Sequence, residues 1–259
     1  MHDFHVHSTY SDGEFLRGMV RAAESAGLEG VGITDHCNVA ARERMERMRE
    51  VYGFNLDLTY ERRRAAIDRL REDADLAIYD AVEMDYDPRD EREIREFLAT
   101  ADFDYALGSV HEVDGRNVQV SSNFVDCTED ELDEICAAYF DRLVSLIESE
   151  LFDVAAHVDL LERTTPLRGR ATDDQYRRVA RAFADSRTVP EINAGRALTD
   201  EEVVHPNADF RSVLREYDVP ITIGTDSHRT VEIGNRTAFL EEFLERHAID
   251  PVAPPGVET

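Results

Sequence analysis

The chain has 259 residues, enough for one α/β domain with a large core, and 42% of them are hydrophobic, which excludes a disordered protein. Fifty-six acidic residues stand against 29 basic ones, all of them Arg, and the formal net charge is −27. This balance argues against a nucleic-acid or anionic-membrane binder, since both need basic surfaces. An acidic, Lys-free composition favours a halophilic source, where salt screens the self-repulsion of the surface.

The cysteines and the N-terminus bear on the cellular compartment. Cys37, Cys127 and Cys136 are odd in number and have no C-x-x-C spacing, which indicates reduced thiols rather than a disulfide framework. The sequence contains no signal-peptide pattern and no apolar run of transmembrane length. We therefore expect a cytoplasmic protein without a membrane partner.

Short apolar runs alternate with amphipathic, charge-rich stretches along the chain. In chain order we predict strand Asp3–Val6, helix Glu14–Ala26, strand Gly30–Thr34, helices Ala40–Val51 and Tyr60–Asp73, strand Ala77–Met84, helix Asp90–Thr100, strand Tyr105–Val110, helix Glu129–Ser149, strand Asp153–His157, helix Thr172–Ser186, strand Val189–Ile192, helix Ala208–Tyr217, strand Pro220–Gly224 and helix Thr237–His247. Strands alternating with helices imply a parallel sheet, closed into a barrel or open. We expect a single domain over residues 1–250 and a flexible, Pro-rich tail over 251–259.

Metal-ligating residue types recur at or just after the ends of the predicted strands. In the first strand, residues two apart point to the same side, so His5 and His7 share a face. One lone His is more often a satisfied core or surface residue. A cluster of charged groups repeated on almost every strand needs cations to neutralise it, and the C-terminal strand ends form the catalytic face of α/β barrels. His205 and His247 fall outside this pattern and are interpreted as incidental.

Several motifs resemble the PHP (polymerase and histidinol phosphatase) superfamily. They are the D-x-H-x-H opening, S-D-G, T-D-H, S-x-H, H-x-D and a late T-D-S-H, and the resemblance runs from His2 to about Asn235. The stretches Phe103–His111 and Glu191–Arg196 are similar to the histidinol-phosphatase branch. The resemblance implies an α/β fold, a distorted (β/α)7 barrel, with a trinuclear metal centre.

The resemblance also proposes a ligand set for each metal. The first site would comprise His5, His7, Glu83 and Asp226; the second Glu83, His111 and His157; the third Asp12, His36 and His228. Several members of the branch carry His where Asp12 stands, which leaves the metal and the occupancy of the third site open. Such mixed donors suit two or three divalent transition-metal ions, Zn, Mn or Fe.

Phosphate ester hydrolysis is the chemistry that this site would support. Paired cations activate water and stabilise the attacking and leaving oxygens, with Glu83 and Asp226 at the reacting centre. Arg163 and Arg196 are candidate phosphate clamps. The second ring nitrogens of the ligating histidines need partners, for which the expected residues are Asp3, Asp35 and Asp159.

Three functions remain open from the sequence. The first is a histidinol-phosphatase-like phosphomonoesterase of histidine biosynthesis that acts on a small phosphate ester. The second is a nucleotide phosphatase or 5′–3′ exoribonuclease, favoured by the S-D-G form of the opening motif. No aromatic platform with basic residues is visible that would stack RNA bases. The third is a non-catalytic metal-binding or regulatory protein, disfavoured because every matched ligand position carries a metal-competent residue.

Overall fold

A computed structural model describes all residues, 1–259, and its centre is a ring of parallel strands. Around the ring these are β1 His2–Val6, β2 Gly30–Ile33, β4 Ala77–Asp85, β5 Tyr105–Ser109, β8 Val154–Ala155, β9 Val189–Arg196 and β11 Thr222–Gly224. Each neighbouring pair is parallel. The ring closes beside β1, where the His7 N–H donates to Ser227 O at 2.9 Å and the Asp226 N–H to His5 O at 2.8 Å. All seven predicted strands are present, and they form a barrel.

Four short strands lie outside the prediction. They are β3 His36–Cys37, which pairs with β4, the hairpin β6 Glu112–Val113 and β7 Arg116–Asn117, and β10 Val203–His205, antiparallel to β9. Two- or three-residue strands are too short to show an alternating pattern in sequence.

Eight helices cover the barrel, as predicted. They are α1 Leu16–Ser25, α2 Glu43–Tyr52, α3 Tyr60–Arg71, α4 Glu91–Ala101, α5 Glu129–Glu148, α6 Asp173–Ala184, α7 Ala208–Glu216 and α8 Thr230–His247. Helix α8 begins seven residues before the predicted start. Its first turn is held by Glu232, whose Oε2 accepts hydrogen bonds from the backbone N–H groups of His228 and Arg229 at 2.9 and 3.0 Å.

Helix α5 shows how sequence sets the outer layer. Thr128 and Glu131 form a capping box that satisfies the first free N–H groups of the helix. Its apolar residues, among them Ile135, Tyr139 and Leu143, recur at helical spacing and are buried. These residues join the largest core cluster, between barrel wall and helices.

The N-terminal end of the barrel is closed by apolar side chains. Phe4 and Tyr105 form an edge-to-face pair, and Val257 of the C-terminal tail packs against this cluster. The Val252 N–H donates to Ile221 O at 2.9 Å, and Pro254 is buried. The tail thus contacts the barrel, while the domain division at residue 250 stays a prediction. No helix combines the length and apolar character needed to cross a membrane.

Candidate metal centre

Glu83 lies at the centre of the predicted ligands, at the C-terminal ends of the strands. Its carboxylate is 1% exposed. Oε1 lies 2.9 Å from Nε2 of His157 and 3.4 Å from Nε2 of His111. Oε2 lies 3.0–3.3 Å from the rings of His5, His7 and His36. Burial alone would raise the pKa of Glu83, but the surrounding imidazoles hold that pKa well below its ordinary value. One carboxylate among five rings has the geometry of a bridging ligand.

The distances around His5 and His7 show that a cation fits between their rings. Their Nε2 atoms face each other at 3.1 Å. Nδ1 of His5 lies 2.8 Å from Glu191 Oε1, which places the His5 proton on Nδ1 and leaves Nε2 with a lone pair. Asp226 Oδ1 approaches Nε2 of His7 to 3.4 Å. Tetrahedral ligands about 2.0–2.1 Å from a metal stand about 3.3 Å apart, so this group of acceptors fits a divalent cation.

The ligand atoms fall into three overlapping groups. They are His5, His7 and Glu83; His36, Glu83 and His111; and His7, Asp12, His36 and His228. In the last group, Nε2 of His228 lies 3.3 Å from Asp12 Oδ1. The structure therefore brings all nine predicted ligands to one site. It also lets His7 and His36 each serve two groups, so the division of ligands among metals remains a prediction.

Two ligand positions have unusual backbone conformations. His157 has a φ of 30° and Asp226 a φ of 50°, in the left-handed region that side chains other than glycine rarely adopt. Such conformations cost about 1–3 kcal/mol each and persist where surrounding contacts impose them. Here the His157 N–H donates to Glu191 Oε2 at 3.0 Å, and the Asp226 N–H to His5 O. These contacts hold both residues in the left-handed conformation.

The groups that hold the histidine rings differ from those expected. Glu191 holds Nδ1 of His5, and Asp85 Oδ1 lies 2.5 Å from Nδ1 of His111. Neither was among the three aspartates expected in this role. Nδ1 of His157 is buried without a hydrogen-bond partner. The signal for Asp85 was its place two residues after Glu83, on the same side of β4.

Two of the three expected aspartates, Asp3 and Asp35, hold backbone and hydroxyl groups instead of the rings of the predicted ligands. Asp3 accepts hydrogen bonds from the Thr225 N–H and hydroxyl at 2.9 and 2.5 Å, and burial raises the pKa of Asp3 to about 6. Asp35 accepts from Ser8 and Ser11 and lies 3.0 Å from the buried guanidinium of Arg63. These contacts fix the loop that carries Asp12.

Asp159 holds a histidine that the sequence left as incidental. His205 is fully buried, with Nδ1 2.6 Å from Asp159 Oδ1, and its Nε2 accepts a hydrogen bond from Nε of Arg163 at 3.0 Å. Arg163 then reaches Asp226 Oδ2 at 3.1 Å and Gln119 Oε1 at 3.0 Å. The interpretation of His205 was wrong, because β10, too short to predict, brings it behind Arg163.

The site opens into a cavity of about 330 Å³ that no apolar side chain lines. Arg163, Arg196 and Arg236 lie on its wall beside the predicted ligands. Arg196 is exposed and makes no side-chain hydrogen bond or ion pair, so its guanidinium is free to bind an anion. Arg163, 11% exposed, is already held by its partners and presents a fixed charge.

Comparison with known proteins decides the family. The profile of the PHP domain matches residues 3–195 of this chain. The chain belongs to the PHP domain family. The "Probable histidinol-phosphatase" of Thermotoga maritima is 25% identical over 99% of this chain and 96% of its own length. The histidinol-phosphatase of Lactococcus lactis is 27% identical over 87% of this chain and 83% of its own length.

A solved structure agrees with the PHP fold. The crystal structure of the histidinol phosphate phosphatase of Lactococcus lactis, in complex with Zn, L-histidinol and phosphate, has a TM-score of 0.73 at 21% identity, covering 98% of this chain and 95% of that one. The predicted PHP-type barrel and the likeness to the histidinol-phosphatase branch are confirmed. The class expected from the sequence, a metal-dependent phosphoric monoester hydrolase, is also the class of these PHP relatives.

Proposed function

We propose that the protein is a divalent-metal-dependent phosphomonoesterase that hydrolyses histidinol phosphate or a closely related amino-alcohol phosphate. The observation that carries this proposal is a ligand cluster centred on Glu83, opening into an entirely polar cavity with an unpaired arginine, Arg196, on its wall. Such a cavity suits a phosphoryl group. The similarity to histidinol phosphatases over nearly the whole chain supports the choice of ester.

Metal binding is the first part of the proposal. Two or three cations would be held by His5, His7, Asp12, His36, Glu83, His111, His157, Asp226 and His228. Divalent cations held there supply a water of lowered pKa and neutralise phosphate charge. The mixed imidazole and carboxylate donors suit Zn, and they accept Mn or Fe as well.

The side chains around the cluster have separate roles. Arg196 binds the phosphate oxygens, since it reaches the cavity with a free guanidinium. Arg163 orients Asp226, which it contacts at 3.1 Å, and adds positive charge to the wall. Glu191 keeps the proton of His5 on Nδ1, so that Nε2 stays available as a donor.

A second function, nucleotide phosphatase or 5′–3′ exoribonuclease, is favoured by one structural observation. The rings of Tyr52 and Phe54 lie together beside His36, in a groove that also contains the exposed Arg47. The sequence alone showed no such platform, because only the folded chain brings these residues together beside His36. A stacking surface next to a cation suits a nucleobase as well as an imidazole.

The test compares phosphate release by metal-reconstituted protein in molar KCl from histidinol phosphate, a nucleoside 3′,5′-bisphosphate and a short RNA. We expect histidinol phosphate to give the highest kcat/KM, which would place the protein in histidine biosynthesis. A preference for either nucleotide substrate would support the second function. If no phosphate is released from any of the three substrates, both proposed functions are refuted, and a non-catalytic metal-binding protein is favoured.

A further inference from the structure

We propose that the groove beside the metal centre binds a planar heteroaromatic ring of the leaving group, with Phe54 and Tyr52 as its stacking platform. We call this the aromatic groove; its apolar lining is Cys37, Met48, Val51, Tyr52, Phe54 and Val120. The inference rests on the proposed phosphomonoesterase function and names the part of the substrate that its site selects.

The metal cavity and the aromatic groove differ in polarity and suit different parts of a phosphate ester. The metal cavity, about 330 Å³, has no apolar lining, whereas the aromatic groove, about 710 Å³, has six apolar side chains. Asp12, His36, His111 and Gln119 line both, so the two are continuous. A phosphoryl group bound at the metals therefore leaves its organic portion one direction in which to find apolar contact.

A row of rings leads from the metal centre into the groove. The ring of His36 lies 4.4 Å from that of His7 and 6.5 Å from that of Phe54, and the planes of His36 and Phe54 differ by only 28°. Tyr52 continues the row at 6.1 Å and 31° from Phe54. The outer end of the row is accessible, since Tyr52 is 65% exposed and lines the groove. Aromatic faces at these separations and angles favour packing of another flat ring.

The platform is held in place before any ligand binds. Helix α2 ends at Tyr52, where Gly53 adopts a φ of 69°. Asn55 then clamps to Asn38: the Asn38 N–H donates to Asn55 Oδ1 at 2.7 Å, and Asn55 Nδ2 donates to Asn38 O at 3.0 Å. Asn38 directly follows the strand that carries His36. Phe54 is thus fixed relative to the metal ligands, which lowers the entropy cost of binding a ring.

Polar groups on the groove suit the edge of a heteroaromatic ring rather than a phenyl ring. The guanidinium of Arg47 is exposed and makes no ion pair, and Nδ2 of Asn117 makes no hydrogen bond within the protein. Both are donors, and ring nitrogens or exocyclic oxygens are their acceptors. An imidazole and a nucleobase share this chemistry, and the experiment separates them.

The test measures specificity and binding together. Phe54→Leu removes the flat ring but keeps apolar bulk, Phe54→Tyr restores a ring, and Leu58→Ala, 90% exposed in the same segment and outside the groove, is the matched control. The first readout is the ratio of kcat/KM for histidinol phosphate to kcat/KM for ring-free 2-aminoethyl phosphate. The second is the Kd of free histidinol and of adenosine, by calorimetry on the Zn-loaded protein.

We expect Phe54→Leu to lower the ratio about tenfold, in line with the loss of one stacked ring, and to weaken the better ring ligand by a similar factor. Phe54→Tyr and Leu58→Ala should keep the wild-type values. Tighter binding of histidinol identifies the ring as an imidazole, and tighter binding of adenosine identifies it as a nucleobase. An unchanged ratio and Kd in Phe54→Leu would overturn the proposal. If no ester is hydrolysed, the proposed function is refuted. The Kd values from calorimetry then show by themselves whether the aromatic groove binds a heteroaromatic ring.

Discussion

Replacing Glu191 by Gln tests whether the carboxylate of Glu191 determines which ring nitrogen of His5 carries the proton. Glu191 Oε1 lies 2.8 Å from Nδ1 of His5, while Oε2 accepts hydrogen bonds from the His157 N–H and from Asn193 Nδ2, each at 3.0 Å. Glutamine keeps the shape but has one carbonyl oxygen, which must face the two donors. Its NH2 group then faces Nδ1 of His5, which forces the His5 proton onto Nε2 and removes a metal ligand.

We expect this variant to lose about 10- to 100-fold in metal affinity, the usual effect of removing a partner behind a ligating histidine. That range corresponds to about 1.4–2.7 kcal/mol of binding free energy. The assay is elemental analysis of bound Zn after dialysis against graded chelator, with phosphate release measured on the same samples. Glu241→Gln, on the exposed side of α8, is the matched control. Wild-type Zn affinity in Glu191→Gln would refute the reasoning.

Three further outcomes are expected. Glu83→Ala should abolish turnover and lower bound Zn while the far-UV circular dichroism stays native, and surviving turnover would contradict its central position. Arg196→Ala should mainly raise KM for phosphate esters, and an unchanged KM would exclude it from the phosphate clamp. Burial, with Asp159 nearby, raises the pKa of Glu162 from its ordinary 4.5 to about 7, so its contribution to stability is full below pH 4.5 and is lost as pH rises through 7. Glu162→Gln should therefore raise the free energy of unfolding at pH 8 by about 1–2 kcal/mol, after allowance for solvent screening, and have little effect at pH 4.5. An equal gain at both pH values in chemical denaturation would contradict this assignment.

The position of the site could be predicted because parallel strands bring their C-terminal ends to one face. His36, His111 and His157 are far apart in sequence, yet each lies two or three residues beyond the end of a barrel strand, and the barrel brings them together around Glu83. The prediction required only that the end of each strand be placed to within about two residues, the period of a strand. Side-chain geometry was not required.

The groups behind the ligands could not be predicted in the same way. Asp3 and Asp159 were chosen because each is two residues from a ligand, but their carboxylates bind Thr225 and His205 instead. The actual partner of His5 is Glu191, which comes from β9, two strands away from β1 around the ring. Gly224 allows that pairing, since a side chain there would collide with the Glu191 carboxylate and with His5. Such contacts depend on barrel closure and not on sequence distance.

The aromatic groove shows a second limit of sequence reasoning. Tyr52 ends an exposed helix and Phe54 lies in a loop, and neither position has a periodic pattern that points to a site. Their place beside His36 follows from the Asn38–Asn55 clamp, a contact across 17 residues. A loop fixed by side-chain hydrogen bonds leaves no signal in hydrophobic periodicity.

A net charge of −27 is compatible with an anionic substrate because of where the charges lie. The acidic groups at the site, such as Glu83 and Asp226, are buried among imidazoles and Arg163, at separations of 2.9–3.4 Å. Most of the remaining carboxylates are exposed, where the Debye length in molar salt is about 3 Å. Molar salt therefore screens the repulsion between the acidic surface and a phosphate dianion, while the buried contacts are screened much less. Arg196 lies exposed on the wall of the cavity, and its attraction for a bound phosphate acts over contact distance, where salt has the least effect.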